Sequence, residues 1–176
     1  MRIAVSGKSG CGNTTVSSLL AKKLGFTLIN FTFRALSEEK GIDFWKFCEM
    51  AKNDDNIDKE LDRRQVDMAL SEKDCVLGSR LAIWMLKDAD LKIYLIASDE
   101  ARAKRVFKRE GGDLEKIKEQ TNKRDISDST RYKRIYNIDN SDTSFADLVI
   151  DTEKYKPEEI VEQIMDKVEK ISISNN

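Results

Sequence analysis

Near the start of the chain, residues 2–24 read RIAVSGKSGCGNTTVSSLLAKKL. Residues 2–6 are a short run of β-branched and aliphatic side chains, which is typical of a buried strand. A glycine-rich stretch follows, and after Thr14 apolar side chains return at helical spacing, for example at Val16 and Leu20. A strand, a glycine-rich turn and an amphipathic helix in direct succession predict an α/β unit.

Four further apolar runs of strand length are spread along the chain, at residues 27–30, 75–78, 91–97 and 148–151. Longer stretches with helical spacing separate these runs. The last of them begins at Pro157, which two glutamates follow, as is favourable at a helix N-terminus. The alternation predicts a single α/β domain of three layers, with about five parallel strands between helices.

Two wholly helical stretches interrupt the alternation, at about 31–72 and 102–140. The remaining segments, at about 1–30, 73–101 and 141–176, then form the sheet core of the same domain. Ligands of open α/β sheets bind at the edge formed by the carboxyl ends of the strands. We expect the helical insertions to fold over that edge.

The composition excludes several kinds of chemistry. The chain has no histidine, which excludes Ser-His-Asp triads, Cys-His pairs and histidine metal sites. Its cysteines, Cys11, Cys48 and Cys75, are odd in number and lack metal-site spacing, which favours a reducing cytoplasm. No run approaches the roughly 18 apolar residues of a membrane span. Because residues 1–5 lead directly into a strand, we expect no signal peptide.

The glycine-rich stretch has the spacing of a phosphate-binding P-loop. Gly7 and Gly12 are five residues apart, Thr14 stands where the magnesium-binding hydroxyl belongs, and Asn13 replaces the usual lysine. Backbone N–H groups in such a turn, with the positive end of the following helix, attract phosphate. The residues expected to bind nucleotide phosphates are Gly7, Lys8, Ser9, Gly10, Cys11, Gly12, Asn13, Thr14 and Thr15.

Positive charge is concentrated in one part of a chain whose net charge is −1. Residues 102–134 contain 12 Lys and Arg against 6 Asp and Glu, which favours a small polyanion over a long nucleic acid. Arg102, Arg105 and Arg109 share one helix face by their spacing, with no carboxylate expected on that face. We expect nucleotide phosphates to meet these arginines.

Other arginines also stand where a phosphate is expected. Arg80 directly follows a predicted strand, at the ligand-binding edge of the sheet. A guanidinium holds two phosphate oxygens with a fixed fork of donors, so Arg80 is a candidate for phosphate binding. Arg34 and Arg63 are further candidates in the first helical insertion.

Arg124, Asp128 and Arg131 also fall on one helix face, at positions i, i+4 and i+7. Asp128 lies between the two arginines. It either forms their salt bridge or accepts a hydrogen bond from a sugar hydroxyl or a base amino group. The spacing alone leaves both roles open.

Together these residues resemble the archaeal-type cytidylate kinases, within the P-loop nucleoside monophosphate (NMP) kinases. Residues 124–131, RDISDSTR, are similar to the Arg-Asp-x-x-Asp-x-x-Arg stretch that this family uses on its substrate. Two positions depart from the family pattern. Asn13 stands where threonine or lysine is usual, and Gly78 stands where the family usually has glutamate, in Glu-Gly-Arg. The resemblance also includes residues 3–15, 21–25, 33–34, 57–66, 78–84, 102–110, 123–139 and 147–152.

The resemblance implies transfer of a phosphoryl group from ATP to CMP or dCMP, with Mg²⁺ held at Thr14. It implies an NMP-binding insertion at about 31–72 and a lid at about 102–140. The implied partners are small nucleotides, without polymeric nucleic acid or membrane, and the implied state is a cytoplasmic monomer. The implied NMP-binding residues are Arg34, Asp62, Arg63, Arg80, Arg124, Asp128 and Arg131. The implied catalytic residues are Arg80, Arg105, Arg124 and Arg131.

Two alternatives remain open at the level of sequence. One is another small-molecule kinase, acting on shikimate, a sugar or dephospho-coenzyme A. A hydroxyl acceptor requires a carboxylate base, for which Asp62 is a candidate. The other is a degenerate kinase that binds nucleotide as a sensor, as Asn13 and Gly78 indicate.

Overall fold

The computed structural model describes residues 1–174, which build a five-stranded parallel sheet between layers of helices. The order of the strands is β2-β3-β1-β4-β5. This confirms the predicted α/β class and the number of parallel strands. The strands are β1 (Arg2–Gly7), β2 (Thr27–Ile29), β3 (Cys75–Gly78), β4 (Leu91–Ile96) and β5 (Leu148–Asp151). The helices are α1 (Asn13–Leu24), α2 (Phe33–Glu39), α3 (Phe44–Ala51), α4 (Asp55–Ser71), α5 (Ala82–Met85), α6 (Asp99–Glu110), α7 (Leu114–Tyr136) and α8 (Pro157–Ser174).

The two faces of the sheet bury different clusters, because successive side chains of a strand point to opposite sides. On β1, Ile3 and Val5 join a cluster with apolar residues of α1 and α8. Ala4, between them, packs in a second cluster that contains Leu77 and Ile83. Burial on both faces makes β1 a continuous apolar run, as expected for a central parallel strand.

The first helical stretch folds as α2, α3 and α4. It has a small core of its own, formed by Leu36, Phe47, Ala51, Ile57 and Leu61. The second stretch contains α6 and α7, which are separated by Gly111 and Gly112 at φ values of 73° and 98°. A positive φ is strained for other residues, so this glycine pair ends α6 and permits the change of direction.

The parallel register places the ends of β1 and β3 side by side. Val5 is paired with Gly78, and the backbone N–H of Ser79 donates to the Val5 carbonyl over 3.1 Å. The glycine-rich loop after β1 and the residue Arg80 after β3 therefore lie at the same edge of the sheet. This is the edge at which open α/β sheets bind ligands.

Candidate active site

The loop between β1 and α1 needs glycine at specific positions. Gly10 and Gly12 have φ values of 82° and 92°, a region that side chains other than glycine rarely adopt. A Cβ atom on Gly10 would lie 2.7 Å from the carbonyl oxygen of Arg102 in α6. The close approach of α6 to this loop therefore depends on glycine.

The N-terminus of α1 has no side-chain cap: its N-cap residue is Gly12, and its first turn has no acidic residue. In contrast, α2, α3, α4, α6 and α7 each begin with a Ser, Thr or Asp side chain that accepts from the first turn. The first N–H groups of a helix have no partner within that helix. At α1 they remain available for an anion, beside the exposed side chains of Thr14 and Thr15.

Two arginines of α6 donate hydrogen bonds to backbone carbonyls of this loop. Arg102 donates to the carbonyl of Ser9 over 3.0 Å, and Arg105 donates to that of Gly10 over 3.1 Å. The other Arg105 contacts are the hydroxyl and the carbonyl of Thr152, both at 2.8 Å. The predicted catalytic role of Arg105 stays a prediction, while its observed contacts hold the loop against the end of β5.

The expectation that this arginine face of α6 meets no carboxylate is wrong. Arg102 is 1% exposed and forms ion pairs of 2.7 Å with both Asp99 and Asp125. Asp99 lies one turn earlier on α6, and Asp125 comes from α7. At the helix end, Arg109 pairs with Glu110. Carboxylates of the protein therefore balance the positive charges of Arg102 and Arg109.

Three predicted arginines converge on one carboxylate, Asp128 of α7. Arg80 contacts Asp128 directly, Arg131 pairs with it at 2.7 Å, and the Nε of Arg124 lies 3.9 Å from it. Arg131 also pairs with Asp58 of α4 at 2.7 Å. We call Arg80, Arg124 and Arg131 the arginine cluster. In this structure Asp128 forms the salt bridge that was one of its two predicted roles.

Arg124 has the least compensated charge of the cluster. Its side chain is only 15% exposed, and its buried Nε has no hydrogen-bond partner among residues 1–174. The guanidinium lies instead over the ring of Phe44, 4.7 Å from the centroid. Burial, and then the neighbouring charge of Arg80, lower the pKa of Arg124. A desolvated cation with an unused donor is well suited to receive an anion.

The other predicted acceptor-side arginines separate into two groups. Arg34 joins the site, because its guanidinium lies over the Phe44 ring, 4.0 Å from the centroid. Arg124 contacts the same ring. Arg34 also pairs with Glu110 at 3.0 Å. Arg63 does not join it: its side chain is 70% exposed and pairs with Asp67 one turn later on α4. The role predicted for Arg63 therefore has no support from its position.

Two cavities meet at Asp128. The larger, of about 370 Å³, lies between α3 and α7 and is of the size of small-molecule sites. The smaller lies between the loop after β1 and the arginine cluster. Among the residues that line the larger cavity are Trp45, Cys48, Gln120, Arg124, Asp128 and Arg131. Among those that line the smaller are Gly7, Lys8, Arg80, Asp125, Asp128 and Asn140.

Several of these lining residues were missed in the sequence. Cys48 is partly exposed at the wall of the larger cavity. Gln120 and Asn140 carry no recognisable signal in the sequence. Trp45 also lines the larger cavity. For Asp58 a signal existed, since it lies one turn before Asp62 on the buried face of α4.

Asp62 is buried behind the site, where it accepts a hydrogen bond of 2.8 Å from the Tyr136 hydroxyl. It lines neither cavity. Burial is the main cause that raises its pKa to about 7, and the nearby charge of Asp58 adds to this effect. Asp62 thus lies at the packing between α4 and α7, and its predicted contact with substrate stays a prediction.

We expect Asp62→Asn to stabilise the protein most at pH 8 and clearly less at pH 5. The folded pKa lies above the ordinary value of 3.8, so the folded state retains a proton that the unfolded state releases between about pH 4 and 7. Stability therefore falls as pH rises through that window, by up to about 2–4 kcal/mol. Thermal unfolding at both pH values tests this, with exposed Asp67→Asn as the control. An equal effect of Asp62→Asn at both pH values would contradict it.

Comparison with known proteins agrees with this geometry. The sequence pattern of the cytidylate kinase-like family matches residues 2–154. The chain belongs to this family. The cytidylate kinase 2 of Borreliella afzelii (strain PKo) is 48% identical over 180 residues, which cover 99% of this chain and 100% of that protein. The cytidylate kinase of Methanobrevibacter smithii is 40% identical over 94% of this chain and 96% of its own.

The fold of this cytidylate kinase-like protein is also that of other P-loop kinases. The shikimate kinase of Aquifex aeolicus superposes with a TM-score of 0.57 at 20% identity, over 98% of this chain and 99% of that one. At that identity the likeness concerns the fold alone. The family relationship identifies the protein as a nucleoside monophosphate kinase, which favours a phosphorylated acceptor over the hydroxyl acceptors considered above.

Proposed function

We propose that the protein transfers the γ-phosphoryl group of MgATP to CMP or dCMP. The observation that carries this proposal is the convergence of Arg80, Arg124 and Arg131 on Asp128, between the phosphate-binding loop and the larger cavity. The donor lies on the loop side and the acceptor on the cavity side. An oxygen of the acceptor phosphate bonds to the γ-phosphorus, and the bond from that phosphorus to the β,γ-bridging oxygen of ATP breaks, which gives ADP and a nucleoside diphosphate.

The acceptor is already an anion, so the reaction needs no general base. Catalysis then depends on alignment and on neutralising charge. Arg34 and Arg124, both over the Phe44 ring, hold the acceptor phosphate together with Arg80 and Arg131. Asp128 and Asp58 pair with these arginines, and we propose that Asp128 turns to the nucleoside when the acceptor binds.

The donor side is suited to MgATP. The uncapped N–H groups of α1 face the phosphates, and Arg102 and Arg105 hold the loop in shape. The hydroxyl of Thr14 is exposed at the first turn of α1. Among residues 1–174 no three acidic or thiol side chains are grouped to hold a metal. Thr14 would hold an Mg²⁺ ion that arrives with ATP, and the ion would help to neutralise charge on the phosphates.

The proposed setting is a cytoplasmic monomer that acts on small molecules. The thiols of Cys11, Cys48 and Cys75 are free, which supports a reducing compartment. No helix within residues 1–174 is long and apolar enough to span a membrane. Seven of the twelve Lys and Arg side chains in residues 102–134 form ion pairs with protein carboxylates, which supports small nucleotides over polymeric nucleic acid.

Lys8 is the proposed source of the positive charge that a P-loop lysine would supply. It lines the smaller cavity with Gly7 and Arg80. We expect Lys8→Ala to lower kcat about tenfold, or roughly 1.4 kcal/mol, while ATP binding falls less, because charge moves toward the donor only during transfer. Steady-state kinetics beside ATP titrations test this, with Lys40→Ala, which pairs with Glu60 on the surface, as the control. Loss of ATP affinity without a change in kcat would refute it.

Turnover with Mg²⁺ and ATP tests the proposed function, with CMP, dCMP, UMP, AMP and GMP as acceptors. We expect the two cytosine nucleotides to be phosphorylated with the highest kcat/KM. A preference for another base would overturn the assigned substrate. Binding of MgATP without phosphorylation of any acceptor would instead support the sensor.

A further inference from the structure

The side chain of Asn13 is fully engaged below the phosphate-binding loop. Its Nδ2 donates to the carbonyl of Val5 over 3.0 Å and to that of Ser79 over 3.1 Å. Its Oδ1 accepts from the hydroxyl of buried Ser17 over 3.0 Å. Both amide hydrogens are therefore used by backbone at the ends of β1 and β3. No donor of this side chain is left for a phosphate.

Gly78 completes this arrangement. A Cβ atom on Gly78 would lie 2.7 Å from the Oγ of Ser17 and 2.9 Å from the Oδ1 of Asn13. Such distances are too short for real Cβ contacts, so any larger residue would displace the amide. Asn13 and Gly78, the two departures from the pattern, thus belong to one packing unit. A larger residue at position 78 would be incompatible with the observed position of the Asn13 amide.

We propose that Asn13 is a positioning residue for Arg80. The carbonyl to which it donates belongs to Ser79, whose peptide group leads directly into Arg80. Asn13 is the first residue of α1, so its amide fixes the acceptor-side arginine relative to the donor-side helix. The inference rests on the proposed function, because it gives Arg80 the acceptor phosphate. Most P-loops carry a lysine at this position. In this chain the position holds Asn13, which links the donor side of the site to the acceptor side.

The link has a specific kinetic consequence. Loss of the amide frees the segment that carries Arg80, whereas the N–H groups of the loop and of α1 that face ATP remain. We expect Asn13→Ala to raise KM for CMP roughly tenfold or more, since small misplacements of a positioning group are costly. The Kd for ATP is expected to change less than about threefold. Hydrogen exchange at the amide of Ser79, which donates to the Val5 carbonyl over 3.1 Å, is expected to accelerate.

Three variants separate this role from a general loss of structure. Asn13→Thr retains one donor and should fall between Asn13→Ala and the natural protein. Gly78→Ala leaves Asn13 in place but displaces its amide, so it should reproduce the effects of Asn13→Ala. Ser18→Ala, a side-chain truncation in the second turn of α1, should leave KM and exchange unchanged.

The outcomes are distinct. Equal losses of CMP and ATP affinity in Asn13→Ala, or unchanged exchange at the Ser79 amide, would overturn the positioning role. If Asn13→Ala does not fold, Gly78→Ala gives the same readouts. Failure of the natural protein to phosphorylate CMP would overturn the proposed function instead. Equilibrium binding of CMP and ATP, together with exchange, would then still decide the role of Asn13.

Discussion

Arg80→Ala is expected to weaken CMP binding by about 10- to 150-fold and to leave ATP affinity within about threefold. Loss of a charge-assisted, two-pronged contact to phosphate costs roughly 1.5–3 kcal/mol. Arg80 lies at the end of β3 and lines the smaller cavity beside Lys8. The contact is required during transfer as well, so kcat/KM for CMP should fall at least as far.

Calorimetric titration of CMP and of a non-hydrolysable ATP analogue measures both effects. Arg134→Ala is the matched control, because Arg134 pairs with Asp55 at the surface of α7 and α4, away from both cavities. It should leave both affinities unchanged. Equal losses for CMP and the ATP analogue in Arg80→Ala would place Arg80 on the donor side instead.

Arg124→Met is expected to have two opposite effects. CMP binding should fall by about 10- to 150-fold, because a desolvated guanidinium with an unused donor is lost from the acceptor site. The free protein should become more stable by about 1–3 kcal/mol, because a poorly compensated charge is replaced by an apolar side chain of similar length. The ring of Phe44 already provides apolar surface for that side chain.

Arg131→Met is the informative counterpart. Arg131 compensates two buried carboxylates, Asp58 and Asp128, so its loss should destabilise the free protein by about 3–5 kcal/mol. Thermal or denaturant unfolding without nucleotide measures the difference. A destabilised Arg124→Met protein would show that Arg124 is held by interactions that compensate its charge.

Much of the fold could be predicted because it rests on local patterns. The strand before the loop, the helix after it and the clear run at residues 91–97 are periodic signals. Even the weak run at 27–30 forms β2, at the sheet edge. The glycine pair at 111–112, which separates α6 from α7, is likewise a local signal. These features depend on local secondary-structure propensity and on turn residues, both of which can be read directly from the sequence.

The site was predictable where topology brings residues to one edge. Arg80 was placed by its position after a strand, and Arg124, Asp128 and Arg131 by their helical spacing. The errors concern partners that are distant in sequence. Asp125 reaches Arg102 only because α7 packs on α6. In the sequence, Asn13 is recognisable only as a replacement of the usual P-loop lysine. No linear pattern shows that its amide bonds to the carbonyl at the end of β3.

The carboxylates that pair with the arginine cluster, Asp58 and Asp128, also bear on product release. On the proposed function, a dianion that binds the arginine cluster displaces Asp128 from its guanidinium partners, so its affinity is the difference between two sets of ion pairs. The same exchange runs backwards when the nucleoside diphosphate leaves, since returning carboxylates neutralise the arginines at once. We therefore expect the pairing of Asp128 with the arginine cluster to ease product release.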